Sequence, residues 1–521
     1  MNQQLSVTIL YIPKELTDLI VSLLTLSSTY SLSCSATLYE GYRPVISNKR
    51  YQSPIMRPVA IKKHKNSVVI DAITHRHFNL FKRLTSKNVF TRYDADTYCQ
   101  EAAKVGAIDI IKHIHRHNPL CFTISHRIFY KALEGGHIEI IRYLYENGCE
   151  QEDSLSSIYA ARSGNLEVFD LLHKFGCQFT NCAYNTAARY GHVDIIKWLK
   201  EKNIPMNHNM VCVGAAENGH FEILKWLLTF DDGNGIDQEI YLRLDPIVCA
   251  YAAKGGQFEI LKWLVERGCP ISSHSCVNAA ANGHLEILQW LHEKNGLELT
   301  VDACNFAVRN GHIEILKWLL QNECPWDDRS CTDAAKNNHL EILKWLHENG
   351  CPINYEAAYI DTARSGHREI LEWLISTHLA ETGIDENNSR SFCRIQSSAI
   401  LTYAAQEGNF EIVKWLHEKG FPFNESTCIY AVFGGNFEIL EWLKPKFDEI
   451  GWPFRKEVCM YAASKGHLEI LKWLRSFSDG EECPWNYQEC VTASDKNGHD
   501  DIVRWLKTEF DEDGHHKGVT I

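Results

Sequence analysis

The sequence predicts an all-α fold, a helical-repeat solenoid of about fifteen helix–turn–helix units that follows a small N-terminal helical segment. Two observations support this fold class. A phrase of the type Gly-His-Leu-Glu-Ile-Leu-Lys-Trp-Leu recurs along most of the 521 residues, and neighbouring copies lie 27 or 28 residues apart over much of the chain, as from Gly283 to Gly311. Within each copy the apolar residues recur at helical spacing, which indicates an amphipathic helix.

Fourteen units align on the residue that precedes the usual His of this phrase. That residue is Gly in every unit except one, and the aligned positions are Gly106, Gly136, Gly164, Gly191, Gly219, Gly256, Gly283, Gly311, Asn338, Gly366, Gly408, Gly435, Gly466 and Gly498. A fifteenth, weaker unit has Arg76-His77 at this point.

The unit around Asn338 illustrates the two predicted helices. Leu340, Leu343 and Leu346 form the apolar stripe of the second helix, which Gly350 is expected to end. The segment 330–337 predicts a shorter first helix, whose Ala pair lets a neighbouring helix approach closely. One such pair buries too little surface to fold alone, so the units must stack into a continuous core.

The phrase Ala-Ala-x-x-Gly-His-x-Glu-Ile-x-x-x-Leu resembles the ankyrin repeat over residues 66–510. The resemblance implies a non-enzymatic scaffold that binds partner proteins on the surface of an ankyrin-like solenoid. Two features depart from the family: Cys-x-x-Ala-Ala, as at 276–280, replaces the Thr-Pro-Leu-His opening, and the unit is shorter than 33 residues. The deficit falls in the loop, so we expect blunt fingers. The short form resembles the ankyrin-type arrays of amoebae and of the giant viruses that infect them.

Residues 1–42 do not follow the repeat, and 43–65 are predicted to form a linker before the array. The sequence Ile-Pro-Lys-Glu-Leu followed by a Leu-rich segment resembles an F-box, which would recruit the adaptor subunit of a cullin-type ubiquitin ligase. The candidate contacts are Pro13, Leu16, Ile20 and Leu23. The alternative is a helix that caps the first repeat. In the F-box case the protein is a substrate receptor, with the repeats choosing the target. Residues 511–521 form a polar C-terminal tail.

Trp and Cys recur at fixed positions of the unit. Eleven of the 14 Trp residues share one position of the second helix, which we interpret as inter-repeat core rather than as a stacking platform for a ligand. One set of Cys lies four residues before the second Ala-like position of the first helix, and another lies in the loop. We interpret the thiols as small buried apolar groups, not as disulfides or zinc ligands.

Composition narrows the classes of function. The formal net charge of −13 opposes a nucleic-acid partner, and the chain lacks an uninterrupted apolar run of about 18 residues, which opposes a membrane span. We expect a cytoplasmic protein, in the host cytoplasm if the source is viral. His113 and His117 share a helical face but lack an evident third metal ligand. No phosphate-binding loop or nucleophile motif stands out, so we expect no enzyme activity, metal or cofactor.

Binding residues should lie where the units differ, and one varying position follows the Ala pair. Several units carry a cation there, and the candidate partner-binding residues are Arg162, Arg189, Lys254, Arg309, Lys336 and Arg364. Stacking would align them into a basic stripe, and our hypothesis is that this stripe meets an acidic partner protein. The alternative is a solvated edge. The longer connections at 231–237 and 380–388 are a second candidate surface.

Overall fold

The computed structural model describes residues 68–85, 92–117, 125–149, 153–229, 244–383, 398–421, 423–446, 455–476 and 483–511. Across these residues the elements are α-helices and one short 3-10 helix, which confirms the predicted all-α class. The chain divides into two compact units, Met1–Asp237 and Gln238–Ile521. The candidate F-box contacts Pro13, Leu16, Ile20 and Leu23, the linker 43–65 and the tail residues 512–521 lie outside the described residues.

The first unit begins its described part with helical residues 68–74. Eleven helices follow in pairs, the first of them completing the pair that 68–74 begins: α1 Phe78–Thr85, α2 Arg92–Val105, α3 Ile108–His117, α4 His126–Glu134, α5 Ile138–Glu146, α6 Asp153–Ser163, α7 Leu166–Lys174, α8 Asn181–Tyr190, α9 Val193–Glu201, α10 His208–Glu217 and α11 Phe221–Thr229.

The second unit continues the same alternation of first and second helices. Its helices are α12 Ile247–Lys254, α13 Phe258–Glu266, α14 Ser273–Ala281, α15 Leu285–Glu293, α16 Val301–Arg309, α17 Ile313–Gln321, α18 Asp328–Lys336, α19 Leu340–Glu348, α20 Tyr355–Ser365, α21 Arg368–Thr382, α22 Ser398–Glu407, α23 Phe410–Glu418, α24 Glu425–Gly434, α25 Phe437–Leu443, α26 Lys456–Lys465, α27 Leu468–Arg475, α28 Tyr487–Lys496 and α29 Asp500–Glu509, with the 3-10 helix Lys444–Lys446 after α25.

Within each unit, the first helix of one repeat packs against the first helix of the next. In the first unit α2, α4, α6, α8 and α10 form such a series, and in the second unit the series runs from α12 through α14, α16, α18, α20, α22, α24 and α26 to α28. The Ala pair makes this close approach feasible, because Ala334 and Ala335 on α18 are fully buried between their neighbours. The predicted stacking is therefore confirmed inside each unit.

The buried face of the second helix differs slightly from the predicted stripe. On α19 the buried residues are Ile342, Leu343 and Leu346, whereas Leu340 is only half-buried. Leu340 is the first residue of its helix, where one side is still open to the turn. At the N-terminus of α18, Asp327 is the cap: its carboxylate accepts a hydrogen bond from the Arg329 backbone N–H at 3.1 Å.

The turn between the two helices has the same backbone conformation in every aligned unit. All fourteen aligned positions have a positive φ, including Asn338 at +66°. Arg76 has a φ of +57° at the same place in the weaker fifteenth unit, so the structure confirms that unit as well. A left-handed residue is needed here because the chain reverses between α-helices, and Gly adopts this conformation with least strain.

The His after this turn connects each repeat to the one before it. In the second unit His284 Nε2 lies 3.1 Å from the backbone oxygen of Lys254, and His339 Nε2 lies 3.0 Å from that of Arg309. A carbonyl only accepts, so Nε2 carries the donated proton. The same bond joins the pairs His137–Lys104, His192–Arg162, His220–Arg189, His312–Ala281, His367–Lys336, His467–Phe433 and His499–Ser464.

Three units that lack this His use Asn for the same link, whereas the units at Gly106 and Gly256 carry Ala107 and Gln257 there. Asn409 Nδ2 donates to the Arg364 backbone oxygen at 2.6 Å, and Asn436 Nδ2 donates to the Gln406 oxygen at 2.7 Å. In the first unit Asn165 Nδ2 donates to the Gly136 oxygen at 3.2 Å. Where the link is present, a side-chain N–H supplies it, and either His or Asn carries one.

The recurrent Trp lies at the contact between second helices, but it is not fully core. Trp198 and Trp415 are buried, and the other nine of this set are half-buried. Ring contacts reach back to the preceding second helix, as from Trp290 to Phe258 at 5.7 Å and from Trp318 to His292 at 5.8 Å between centroids. The inter-repeat role is confirmed, whereas full burial holds for only two members.

Gly311→Ala tests whether the His339 ring of the next repeat requires a Gly at position 311. A Cβ at Gly311 would lie 2.8 Å from Cε1 of His339, whereas one at Gly350, whose φ is also +82°, would meet nothing within 4 Å. Gly350→Ala should therefore cost only the backbone strain, about 1 kcal/mol, and Gly311→Ala should cost about 1 to 3 kcal/mol more because of overpacking. Urea-denaturation midpoints measure the difference. Equal losses for the two variants would show that the ring exerts no steric constraint.

Candidate protein-interaction surface

The six predicted binding residues all lie near the C-terminal end of a first helix. Their backbone carbonyls are part of the inter-repeat link, because Arg162, Arg189, Lys254, Arg309 and Lys336 each accept from a His, and Arg364 accepts from Asn409. Their side chains extend from the first helices. In each of the two units we call this surface the first-helix face, defined by the positions that follow the Ala pair together with the residue one helical turn before each.

Aromatic residues lie beside the predicted cations on this face. The Arg162 guanidinium lies 5.0 Å from the ring centroid of Tyr159, and Arg309 lies 5.2 Å from that of Phe306. In the same way Lys254 lies 4.9 Å from the ring of Tyr251, and Arg364 lies 4.4 Å from the ring of Tyr403 on the next first helix. Cation–π attraction holds each pair by about 0.5 to 1 kcal/mol at such exposed sites.

Four of the six cations are also in ion pairs on their own chain. In the second unit Arg309 pairs with Asp333 on the next first helix at 2.8 Å. The other pairs are Arg162–Glu134 at 3.4 Å, Arg189–Glu217 at 3.7 Å, and Arg364 with both Asp361 and Glu407 at 3.8 Å. The predicted stripe is therefore a row of alternating charges, and its net positive charge is smaller than the cations alone indicate.

The pKa of the Glu134 carboxyl group reflects its pairing with cations. Partial burial would raise the pKa of Glu134, but the hydrogen bond and charge of Lys131 at 3.0 Å, together with Arg162, outweigh it and lower the pKa. The carboxylate is thus ionised and engaged between two cations. Lys336, in contrast, is exposed, and within the described part of the chain no ion pair is assigned to it.

The second unit carries a continuous aromatic row on the same face, which the sequence reasoning missed. We call it the aromatic ridge: Tyr403 on α22, Tyr430 and Phe433 on α24, and Tyr461 on α26. Ring centroids are 6.0 Å apart from Tyr403 to Tyr430, 6.5 Å from Tyr430 to Phe433, and 6.2 Å from Phe433 to Tyr461. Tyr430 is 37% exposed and the other three are half-buried.

Two cations lie over rings of the aromatic ridge. Arg364 lies over Tyr403, and Lys465 lies 4.4 Å from the Phe433 centroid. A sequence signal for the ridge existed, because Tyr occurs five residues before the turn Gly in three of these units. Only stacking shows that these positions and Phe433 form one surface.

The outward side of the second helices is much more uniform. Six repeats carry the same Glu–Lys pair one turn apart, with side-chain N–O distances of 2.8 to 3.2 Å: Glu222–Lys225, Glu259–Lys262, Glu314–Lys317, Glu341–Lys344, Glu411–Lys414 and Glu469–Lys472. Identical exposed pairs contribute little to stability or discrimination. The first-helix face is therefore the surface that differs from repeat to repeat.

The two longer connections are described only in part. Residues 231–237 lie outside the described residues, as do 384–397. Residues 380–382, predicted as loop, belong to α21, which extends to Thr382. This extension brings Glu381 to the Tyr355 hydroxyl, whose O–H donates at 2.7 Å, and it brings His378 to stack on the Tyr355 ring at 4.0 Å.

The described residues contain no group of three or more His, Cys, Asp or Glu side chains arranged for a metal ion. The rings of His113 and His117 stack at 4.3 Å, and His113 also contacts Phe78 and Phe81. Burial, together with the charges of His117 and Lys82, lowers the pKa of His113. Among the described helices, none combines the length and the apolar character that a bilayer crossing requires.

The family model described as ankyrin repeats (3 copies) matches this chain in seven overlapping stretches, which are 157–241, 184–275, 212–304, 249–330, 276–357, 331–427 and 355–452. Together they cover more than half of the sequence. The chain therefore belongs to the ankyrin-repeat family, whose members are generally non-enzymatic, and it provides a repeat scaffold for protein interaction. Comparison with curated proteins finds no match.

Similar solved structures include the pentatricopeptide repeat protein PPR10 from maize. It shares 12% sequence identity, the match covers 96% of this chain and 78% of that chain, and the TM-score is 0.30. PPR10 in complex with an 18-nt psaJ RNA element shares 11% identity over 94% of this chain and 77% of that chain, with a TM-score of 0.31. Structural similarity at this level gives no information about the function of this protein.

The exclusion of nucleic acid in the sequence analysis was wrong. The exclusion rested on net charge, which is a property of the whole chain. Binding depends on the local surface instead. Pairs of cations and aromatic rings such as Arg162 with Tyr159 are also groups on which bases stack.

Arg309→Ala tests whether the first-helix face can be altered without disturbing the stack. Arg309 is 47% exposed on its side chain, so loss of the Asp333 pair should lower the free energy of unfolding by less than about 1 kcal/mol. The thermal midpoint of the full chain, compared with the unaltered protein, measures this. A large drop would mean that the charges on this face hold the repeats together and do not serve a partner.

Proposed function

We propose that this protein is a non-enzymatic interaction scaffold that binds a partner protein on its first-helix face. The observation that supports this most is the aromatic ridge with Arg364 and Lys465 over two of its rings. The side chains on this face vary from repeat to repeat while the backbone beneath them is constant. A surface of this kind gives each repeat its own contribution to specificity.

The chemistry of the aromatic ridge fits recognition of a protein. Tyr, Phe and Arg are enriched at the centres of protein interfaces, because they bring large apolar area at low cost in conformational entropy. Tyr430 also offers a hydroxyl for a directed hydrogen bond. In the second unit Lys254, Arg309 and Lys336 extend the same face, where Lys254 is oriented over a ring and Arg309 by a carboxylate. In the first unit Arg162 and Arg189 lie at the equivalent positions, where Arg162 is oriented over a ring and Arg189 by a carboxylate.

The double variant Tyr430→Ala with Phe433→Ala tests this proposal. We expect it to weaken binding of a captured partner at least about tenfold, because buried aromatic contacts are the usual hot spots. Affinity purification with the full chain and mass spectrometry identify the partner, and titration with the purified partner then measures the affinity. The matched control is Glu341→Ala with Lys344→Ala, which removes an exposed pair on the opposite helix of a repeat.

The proposal is supported if a purified protein binds the unaltered chain and the control but not the Tyr430 and Phe433 variant. Nuclease treatment before capture separates the alternative class of partner. If nuclease abolishes capture, and synthetic RNA binds the chain in a Tyr430-dependent way, the face is a nucleic-acid surface instead. If the Tyr430 and Phe433 variant binds the captured protein as tightly as the control does, the partner does not bind at the first-helix face.

A second proposal concerns residues 1–42, where the Ile-Pro-Lys-Glu-Leu motif resembles an F-box. In that case the protein is a substrate receptor, and Pro13, Leu16, Ile20 and Leu23 contact the adaptor of a cullin-type ubiquitin ligase. We also propose a cytoplasmic location, in a host cell if the short units reflect a viral source.

Leu16→Asp with Ile20→Asp tests the F-box proposal, because carboxylates cannot enter an apolar docking surface without a large desolvation cost. We expect the adaptor to co-purify with the unaltered chain and to be lost from this variant. The Tyr430 and Phe433 variant is the control, since it leaves residues 1–42 intact. If the adaptor does not co-purify with the unaltered chain, residues 1–42 act as a cap.

A further inference from the structure

The two sets of Cys meet inside single repeats of the second unit. The Sγ atoms of Cys249 and Cys269 are 3.2 Å apart, and those of Cys304 and Cys324 are 3.1 Å apart. In each pair one thiol lies on the first helix and the other lies in the loop after the second helix. We propose that these thiol pairs are oxidation sites, at which a peroxide converts each pair into a disulfide within one repeat.

The same arrangement recurs in two other repeats of this unit. Cys331 Sγ lies 3.9 Å from the Cys351 backbone oxygen, and the neighbouring loop thiol raises the pKa of Cys331 and of Cys459. Three of the four pairs are separated by 20 residues along the chain. Because the repeat places the pair, the arrangement is a property of the unit and not of one accidental contact.

The loop thiol is held in place by its own backbone contact. Cys324 Sγ lies 3.3 Å from the Thr300 backbone oxygen, and Cys351 Sγ lies 3.4 Å from that of Asp327. Thr300 and Asp327 are the cap residues at the start of the first helix in the same repeats. Each loop thiol therefore lies between the start of its first helix and the Cys in the middle of that helix.

The thiols of Cys304 and Cys324 differ in pKa and in exposure, and these differences indicate which thiol reacts with the peroxide first. The hydrogen bond between them raises the pKa of Cys304, where burial adds to the effect, and lowers the pKa of Cys324 against the effect of burial. Cys324 is also the more accessible, with 5% of its surface exposed against 1% for Cys304. In this pair the loop thiol Cys324 is therefore the one that ionises and meets an oxidant first.

The reaction balances with hydrogen peroxide as the oxidant. The Cys324 thiolate attacks one peroxide oxygen, so that an S–O bond forms, the O–O bond breaks and hydroxide leaves. Cys304 sulfur then attacks the Cys324 sulfur. The S–S bond forms, the S–O bond breaks, and the departing oxygen leaves as water with the Cys304 proton. Two thiols are oxidised, and one peroxide is reduced to two waters.

A disulfide at this place would close a loop that contains most of one helical pair. It would join the middle of a first helix to the segment that leads into the next repeat. Cross-links of this kind stabilise a protein mainly by restricting the unfolded chain. Oxidation would thus stiffen the array repeat by repeat without altering the residues on the first-helix face.

Peroxide treatment of the folded full-length protein tests the proposal. After free thiols are alkylated, peptide mapping by mass spectrometry should find Cys304 joined to Cys324 and Cys249 joined to Cys269, each pair lighter by two hydrogens. The thermal midpoint should rise by a few degrees and return after treatment with a reductant. Cys428 provides an internal reference: it is buried on a first helix, and the segment that follows its repeat carries no Cys.

Cys324→Ala should leave Cys304 reduced, whereas the matched control Cys276→Ala should leave the Cys304–Cys324 disulfide intact. If Cys324→Ala does not fold, Cys304→Ser removes the other thiol of the pair instead. Ser is tolerated at this position of the unit, since Ser157 occupies it in another repeat. The proposal is overturned if folded protein gives sulfinic or sulfonic acids at Cys324 without a disulfide. It is also overturned if Cys304 and Cys428 react alike, or if the pairs form only in denaturant.

Discussion

The structure depends on one hydrogen bond that recurs between neighbouring repeats. A side-chain N–H after the turn, from His or Asn, donates to a backbone oxygen near the end of the preceding first helix, as His339 does to Arg309. The bond satisfies a carbonyl at a helix end, which otherwise lacks an intrahelical partner. It also places the ring against the preceding turn, where Gly311 leaves room for it. The contact thus adds a steric reason for Gly at the turn to the left-handed backbone conformation.

This bond explains how one array can be both regular and variable. Arg162, Lys254 and Arg309 supply their carbonyls to the link, and a carbonyl is present whatever the side chain is. The side chains at these positions are thus released from stacking and extend into the first-helix face. Ala281, Phe433 and Ser464 occupy the same position elsewhere and accept the same bond. Stacking therefore leaves this position open to selection for binding.

Much of the fold could be predicted from the sequence because the repeat is short and strictly periodic. The turn at Gly283, the cap at Asp327 and the helix over Leu340–Glu348 all rest on local rules that hold wherever the pattern occurs. The weak unit at Arg76 was also visible in the sequence, from Arg76-His77 and the apolar pattern that follows. Its turn keeps the left-handed conformation without Gly. Local signals were sufficient for these elements.

The missed features all join residues that are distant along the chain. The partner of His284 lies 30 residues earlier along the chain, and no local rule identifies it. The constant separation of Cys304 and Cys324 was a usable signal, but only the path of the helices brings the thiols into contact. The aromatic ridge arises in the same way, because Tyr403, Tyr430 and Tyr461 become neighbours only when first helices stack.

The most direct test of the inter-repeat bond is deuterium uptake by backbone amides in His284→Ala. Removal of the ring should speed exchange on both sides of the lost bond, in α12 and α13 of the preceding repeat and in α15 of its own, while α26 to α29 exchange as before. That pattern would show that each repeat is held by its neighbour through this side chain. Faster exchange confined to α15, with α12 and α13 unchanged, would contradict the account.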